Sequence, residues 1–170
     1  MSGLQIQVSM EGDGFARIRR GLDLLARTGM NPGPMLMEIG QVVEEHTWQR
    51  FKKEESPDGV KWKALNPDYR AWKIKHGGID KTLQSTGRLR HSITHQMAGT
   101  EAVAVGTNVE YASRHQKGKE STGNRSRPGK ASAGSHQGTP PRPFLGISKE
   151  DVTSTERIVR RYIQKALGTT

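Results

Sequence analysis

The sequence predicts an α+β fold in which helices pack on an antiparallel sheet, with one long basic loop and a C-terminal helix. Three observations predict this class. Short segments at 3–10 and 93–105 alternate apolar and polar residues, the period-2 pattern of half-buried strands. Other segments repeat their apolar residues at helical spacing. The segment 117–139 contains no large apolar residue, and 170 residues fit one domain spanning 1–170.

The first third of the chain predicts a strand and two helices. Leu4, Ile6, Val8 and Met10 form one face of a strand at about 3–10. An amphipathic helix follows from Phe15 and is ended by Gly29. Pro34 suits the first turn of a second helix, which we expect to run to about Glu55.

The middle third predicts a turn, a short helix and a pair of strands. Ser56-Pro57-Asp58-Gly59 is typical of a tight turn, after which Trp62 is expected to fold back onto the helices. Asn66-Pro67 predicts the cap and first turn of a short helix. The type of the segment 82–93 stays open, because its periodicity fits neither template. Segments 93–97 and 102–105 predict two antiparallel strands.

The C-terminal part predicts a basic loop and a final helix. Ordering residues 117–139 would cost about 1–2 kcal/mol per residue of backbone entropy with no apolar burial to offset it, so we expect a mobile loop. Ser148 and Asp151 form an S-x-x-D start for the last helix. The stretch "PPRPFLG" at 140–146 joins loop and helix, and its prolines stiffen the exit from the loop.

The composition limits the functional classes. Apolar residues make up 32% and aromatic residues 5%, which predicts a small core with room for stabilisation by partner subunits. The absence of cysteine excludes a disulfide framework. The N-terminus lacks the pattern of a signal peptide, and no apolar run is long enough for a membrane helix. We therefore expect folding in a reducing cytoplasm, with no membrane partner.

Sequence motifs for catalysis or cofactor binding are missing, so we expect no enzyme activity, no cofactor, and no catalytic or metal residues. A divalent metal at His91 and His95 is conceivable, but no third ligand has a suggestive spacing. Glu44, Glu45 and His46 diverge around a helix and are interpreted as a solvated face. The three tryptophans are assigned to core and interface packing rather than base stacking, because no basic residues alternate with them. These are Trp48, Trp62 and Trp72.

The net charge of +10 is concentrated near the predicted loop. Seven basic residues and one acidic residue lie between Arg114 and Arg142. A Gly/Ser-rich segment of this kind can contact phosphates without reading bases, and it can equally be a solvated assembly loop. The candidate phosphate contacts are Lys117, Lys119, Arg125, Arg127 and Lys130.

Four stretches together resemble the Mu-like phage virion morphogenesis family, which is similar to phage tail-completion proteins. They are "SPDGVKWKAL" (56–65), "LQSTGRLRHSI" (83–93), "VAVGTNVEYASRHQKG" (103–118) and "PPRPFLGISKED" (140–151), in the family's order. The resemblance implies a compact α+β fold and a non-enzymatic virion component that acts late in assembly in the host cytoplasm. It implies a ring of identical subunits, expected to number six, at the tail end or neck.

Such a role suggests partners and docking residues. The expected partners are further copies of the chain, other tail, neck or connector proteins, and phage DNA in passing. Edge strands and extended segments pair readily with neighbours. We expect the segment after the loop to dock at a fixed place, on the subunit's own sheet or on a neighbour. The candidate docking residues are Trp62, Tyr111, Pro143, Phe144, Leu145 and Ile147. The alternative is a sequence-independent nucleic-acid-binding protein that uses the basic loop.

Overall fold

The computed structural model describes residues 13–118 and 138–168, which form helices and an antiparallel pair of strands. The predicted α+β class is confirmed, whereas the strand predicted at 3–10 lies outside the described residues. The elements are α1 (Asp13–Arg27), α2 (Gly33–Lys53), α3 (Pro67–Lys75), α4 (Arg88–His91), β1 (Thr94–Met97), β2 (Val103–Gly106), α5 (Ala112–Lys117) and α6 (Lys149–Ala166).

Helix α2 is the central element, and the strand pair lies directly against it. β1 and β2 pair in antiparallel register, with His95 opposite Val105. A Cβ atom placed on Gly40 of α2 would stand 2.6 Å from Val103 Cγ2 and 3.0 Å from His95 Cβ. The close approach of helix and sheet therefore requires a residue without a side chain at position 40.

Helices α1 and α6 run side by side in the same direction. Gly14 faces Val152 at their starts, and Gly21 faces Val159 about two turns further on. Together with the first half of α2 they enclose the first apolar core. Its buried members are Ile18, Leu25, Met35, Ile158 and Val159.

The second apolar core surrounds the end of α2 and includes the segment after the basic loop. Phe144 and Phe51 are both completely buried, with ring centroids 5.2 Å apart. The other buried members are Trp62, Leu89, Ile93, Val109, Ala112 and Leu145. The two cores share α2, so a small apolar content is divided over two sites along one helix.

Two local start signals are confirmed in detail. Asn66 Oδ1 accepts hydrogen bonds from the backbone N–H groups of Asp68 and Tyr69 at 2.9 and 3.3 Å. Ser148 and Asp151 form a reciprocal capping box at the start of α6.

Two expectations are corrected. Glu44 and His46 were interpreted as solvated, yet both are half-buried: Glu44 Oε2 lies 2.6 Å from the Nδ1 of His95, and His46 Nδ1 lies 2.6 Å from an oxygen of Asp151. Glu45 is exposed, as expected.

Lys117, included in the predicted loop, is the last residue of α5. The undetermined segment 82–93 is irregular up to Gly87 and then forms α4.

Candidate functional site

The residues 142–147, here called the docked segment, are held by side chains from three other parts of the chain. Gln116 of α5 provides the first anchor. Its Oε1 accepts from the backbone N–H groups of Phe144 and Leu145 at 3.0 and 3.1 Å, and its Nε2 donates to the Leu145 carbonyl at 2.7 Å. One amide thus satisfies three backbone groups of a segment with no strand partner of its own.

The loop after α2 provides the second anchor. Trp62 Nε1 donates to the carbonyl of Pro143 at 2.8 Å, and the Trp62 ring meets Phe51 edge-on at 5.5 Å. In the opposite direction, the Arg142 guanidinium donates to the carbonyls of Lys63 and Ala64 at 2.9 and 3.3 Å. The docked segment and residues 62–64 therefore hold each other in place.

Arg50 of α2 provides the third anchor, from inside the molecule. Its Nη1 donates to the carbonyls of Phe144 and Gly146 at 3.3 and 2.9 Å. Its Nη2 forms an ion pair with Asp151 of α6, and both side chains are almost completely buried. A buried guanidinium needs such a carboxylate, because an unpaired charge is strongly penalised away from water.

Asp151 connects this anchor to the last helix. One carboxylate oxygen receives Arg50 and the backbone N–H and hydroxyl of Ser148, both at 2.7 Å. The other lies 2.6 Å from His46 Nδ1. The same side chain therefore caps α6, neutralises Arg50 and fixes His46.

Gly146, near the end of the docked segment, has a backbone conformation that suits glycine. Its φ is +152°, and a Cβ atom there would lie 2.8 Å from Cγ of Pro57. The docked segment thus packs directly on the Ser56–Gly59 turn.

The predicted docking residues separate into buried and exposed groups. Trp62, Phe144 and Leu145 are buried in the chain's own second core. Pro143 and Ile147 are half-buried. Tyr111 is 38% exposed, with its ring edge-on to His115. Phe144 packs on Phe51 of α2, in a core against which Val105 of β2 also packs. Contact of any of these residues with a second copy stays a prediction.

Three residues of the site were not singled out as candidates from the sequence. Arg50 lies on the same stripe of α2 as Val43 and Phe51, and a charged residue on an apolar stripe is a usable signal for a buried ion pair. Asp151 was recognised only as a cap. Gln116 had no signal, since its partners are 28 and 29 residues away.

Only one of the five candidate phosphate contacts belongs to the residues that the structure describes. Lys117 is exposed at the end of α5, while Lys119, Arg125, Arg127 and Lys130 lie outside the described residues. Arg142, counted with the basic cluster, is buried and its guanidinium is occupied by two carbonyls.

His115 stands at the base of this region. Burial, and then the charges of Arg142 and Arg114, lower its pKa below the usual value. Its Nδ1 is buried without a hydrogen-bond partner in the described part of the chain. The environment therefore favours the neutral ring.

The candidate metal pair is not assembled as a site. His91 is exposed, and His95 is paired with Glu44. Within residues 13–118 and 138–168, no three His, Asp or Glu side chains are grouped so that they could hold a metal ion. None of the helices in this range has the length and apolarity that a bilayer span requires.

Comparison with known proteins adds the family. The profile of the phage virion morphogenesis family matches residues 13–164, which include both cores, the docked segment and most of α6. The chain belongs to the phage virion morphogenesis family. It is a structural protein of virion assembly, and the resemblance seen in its four sequence stretches is confirmed.

Two curated relatives agree with this assignment. The chain is 29% identical over 157 residues to the Mu-like prophage FluMu G protein 2 of Haemophilus influenzae, covering 92% of this chain and 96% of that protein. It is 26% identical over 130 residues to the Mu-like prophage FluMu G protein 1 of the same organism, covering 75% and 77%. No solved structure matches the chain.

Proposed function

We propose that this virion assembly protein completes the tail or joins head and tail, as a ring of identical copies, with six as the expected number, at the neck or tail end. The observation that carries the proposal is the family match over residues 13–164. The partners would be further copies of the chain and neighbouring tail, neck or connector proteins. Assembly would take place in the host cytoplasm before the particle is complete.

The geometry of the docked segment supports a structural role. The polar side chains buried near it are engaged in holding the backbone: Arg50 and Gln116 bind carbonyls and N–H groups, and Asp151 binds Arg50 and the start of α6. Burying these polar groups carries a desolvation penalty, but the hydrogen bonds they form fix the backbone of the docked segment in one conformation. A subunit that must present the same surface in every position of a ring benefits from that rigidity.

Electron microscopy of particles made without this protein tests the proposal. Tailless heads beside free tails are expected if the protein joins the two parts, and tails of abnormal length or ending are expected if it completes tails. Supplying the wild-type gene in trans should restore normal particles. Normal infectious particles in its absence would refute both roles.

Sequence-independent DNA contact through the basic loop is a second candidate. The residues that flank the loop lie side by side in the fold, because a Cβ atom on Gly118 would lie 2.9 Å from Cδ of Pro141. The five candidate phosphate contacts, Lys117, Lys119, Arg125, Arg127 and Lys130, belong to or adjoin the loop sequence. If all five neutralise phosphates, log K should fall by roughly 4.5 per tenfold increase in salt.

A loop deletion separates the two candidates. Replacing residues 119–137 by a short Gly-Ser linker is sterically simple because the ends are adjacent. The DNA candidate predicts that fluorescence anisotropy with a duplex loses most of its salt-sensitive binding, while the unfolding midpoint is retained. Unchanged binding by the shortened chain would refute DNA contact through the loop and leave the assembly role untouched.

A further inference from the structure

Helix α3 turns its apolar side chains outward. Lys73 is the residue of this helix that the fold buries, and its Nζ donates to the Lys81 carbonyl at 2.8 Å. Burial lowers the pKa of Lys73. Tyr69 and Trp72 are 48% and 55% exposed. Because a surface helix normally buries its apolar side, this orientation indicates a surface that another molecule covers.

The exposed aromatic rings of α3 and of His76, which caps its C-terminal end, form an ordered row, here called the α3 ridge. It consists of Tyr69, Trp72 and His76, with ring centroids 5.9 and 4.5 Å apart and interplanar angles of 20° and 29°. The rings stack on one another, so part of each stacked face is occupied within the row. A platform for nucleic-acid bases needs free ring faces, whereas a preordered row of aromatic side chains suits a protein groove.

A groove of matching character lies on the other side of the same helix. It has a volume of about 790 Å³ and lies between α3, the segment 61–65 and the segment 80–82. Apolar side chains in its lining include Trp62, Leu65 and Ile74. This space, here called the α3 groove, is large enough to accept aromatic side chains.

The ridge and the groove face different directions. At 100° per residue, the ridge positions 69, 72 and 76 cluster within about 60° of one another. Pro67, Ala71 and Ile74 line the groove, and they cluster roughly 170° away around the helix. A ridge and a groove on opposite sides of one element cannot meet within one subunit, but they can meet between successive copies, head to tail. Contacts of this kind close into rings when the rotation permits.

Charge is compatible with the same contact. Asp68 and Lys75 flank the ridge with opposite charges, and neither has an ion-pair partner among the described residues. The groove lining has a basic excess, with four basic side chains and two carboxylates. These are Lys53, Lys61, Arg70 and Lys81 against Glu54 and Asp80. A near-neutral ridge can enter this lining without net repulsion, and Asp68 can face one of its lysines.

We propose that the α3 ridge of one copy inserts into the α3 groove of the next, and that this is the contact between neighbouring subunits of the ring. The inference rests on the ring in the proposed function and names its surface. Trp72 is the central anchor, since large aromatic side chains are the commonest hot spots of protein interfaces.

The first test is self-association of purified variants, measured by sedimentation velocity over a concentration series. Trp72→Glu should weaken association about 30- to 1,000-fold, the range that corresponds to a hot-spot loss of about 2–4 kcal/mol. Leu24→Glu is the matched control, since Leu24 is an exposed apolar residue on α1. Circular dichroism should show both variants folded. Equal association of the Trp72 variant and the wild type would overturn the proposal.

The second test uses the absence of cysteine from the chain. His76→Cys places a thiol on the ridge, and Ala64→Cys places one in the groove lining of a differently tagged copy. Oxidised glutathione should produce a cross-linked pair from the mixture faster than from either variant alone. Faster self-cross-linking of the His76 variant would indicate a symmetric contact between two α3 helices and overturn the head-to-tail arrangement.

The two levels of the proposal fail differently. A wild-type chain that stays monomeric both in solution and in assembled particles would refute the ring and this contact with it. A wild-type oligomer that tolerates Trp72→Glu and gives no mixed cross-link would refute the contact alone. The particle phenotype of a strain lacking the protein reports on the assembly role independently of both results.

Discussion

Replacing Asp151 by asparagine should be among the most destabilising isosteric changes in the chain. Asp151 is 1% exposed, and its partner Arg50 is 5% exposed. Asparagine keeps the size and part of the capping geometry but leaves the guanidinium without its counter-charge. Removing one member of a buried ion pair costs about 3–5 kcal/mol. A typical domain has a total stability of about 5–15 kcal/mol, so this is a large fraction.

The assay is urea unfolding followed by circular dichroism, with thermal unfolding beside it. A loss of about 3–5 kcal/mol should lower the melting temperature by about 6–20 °C for a domain of this size, and the m-value should stay constant. Asp80→Asn is the matched control, because Asp80 pairs with Arg70 at the surface. That exposed pair is screened by water, so its removal should shift the midpoint little.

A double mutant identifies the second task of Arg50. If Arg50 only balanced Asp151, combining Arg50→Met with Asp151→Asn, which keeps part of the α6 cap, would restore most of the stability that Asp151→Asn alone removes, because no unpaired charge would stay buried. The carbonyls of Phe144 and Gly146 would still lose their donor, so the double mutant should remain less stable than the wild type. A single Asp151→Asn change costing under about 1 kcal/mol would refute the importance of the network.

Three further changes probe the same region, each by unfolding in urea. Phe144→Ala should cost about 3–5 kcal/mol because it empties a fully buried site, and a near-neutral result would contradict docking in the core. Gly146→Ala should cost more than Gly59→Ala, because both glycines have positive φ but only Gly146 would bring a Cβ atom against Pro57. Burial and neighbouring arginines lower the pKa of His115, so the unfolded chain binds this proton more readily. The stability that His115 contributes is therefore complete above its ordinary pKa near 6.5 and is lost as the pH falls below that value. His115→Gln should reduce this loss of stability at low pH. An unchanged dependence of stability on pH in that variant would contradict the reasoning.

Local sequence patterns predicted the elements that local forces determine. The capping box at Ser148 and the cap at Asn66 were readable because their donors and acceptors lie within three residues of each other. The strand pair was readable from alternation and a short reversal. These features depend on neighbours in sequence, so periodicity and capping residues suffice to find them.

Features that depend on distant partners were missed. Glu44 and His46 look solvated on a helical wheel, but their partners are 51 and 105 residues away. The outward orientation of α3 was not predicted either, because a surface helix normally buries its apolar side and α3 does not. In α3 the aliphatic stem and ammonium of Lys73 fill the inner position, with the charge satisfied by a carbonyl.

The side chains that hold the docked segment also contact the residues that line the α3 groove. Trp62 belongs to the second core, donates to the docked segment and also lines the α3 groove. Arg142 holds the carbonyl of Ala64, another residue of the groove lining. Arg50 and Asp151 fix the opposite end of the docked segment to α2 and α6. In the proposed contact between copies the α3 groove has to keep its shape, and the buried polar groups around the docked segment would fix that shape through this continuous set of contacts.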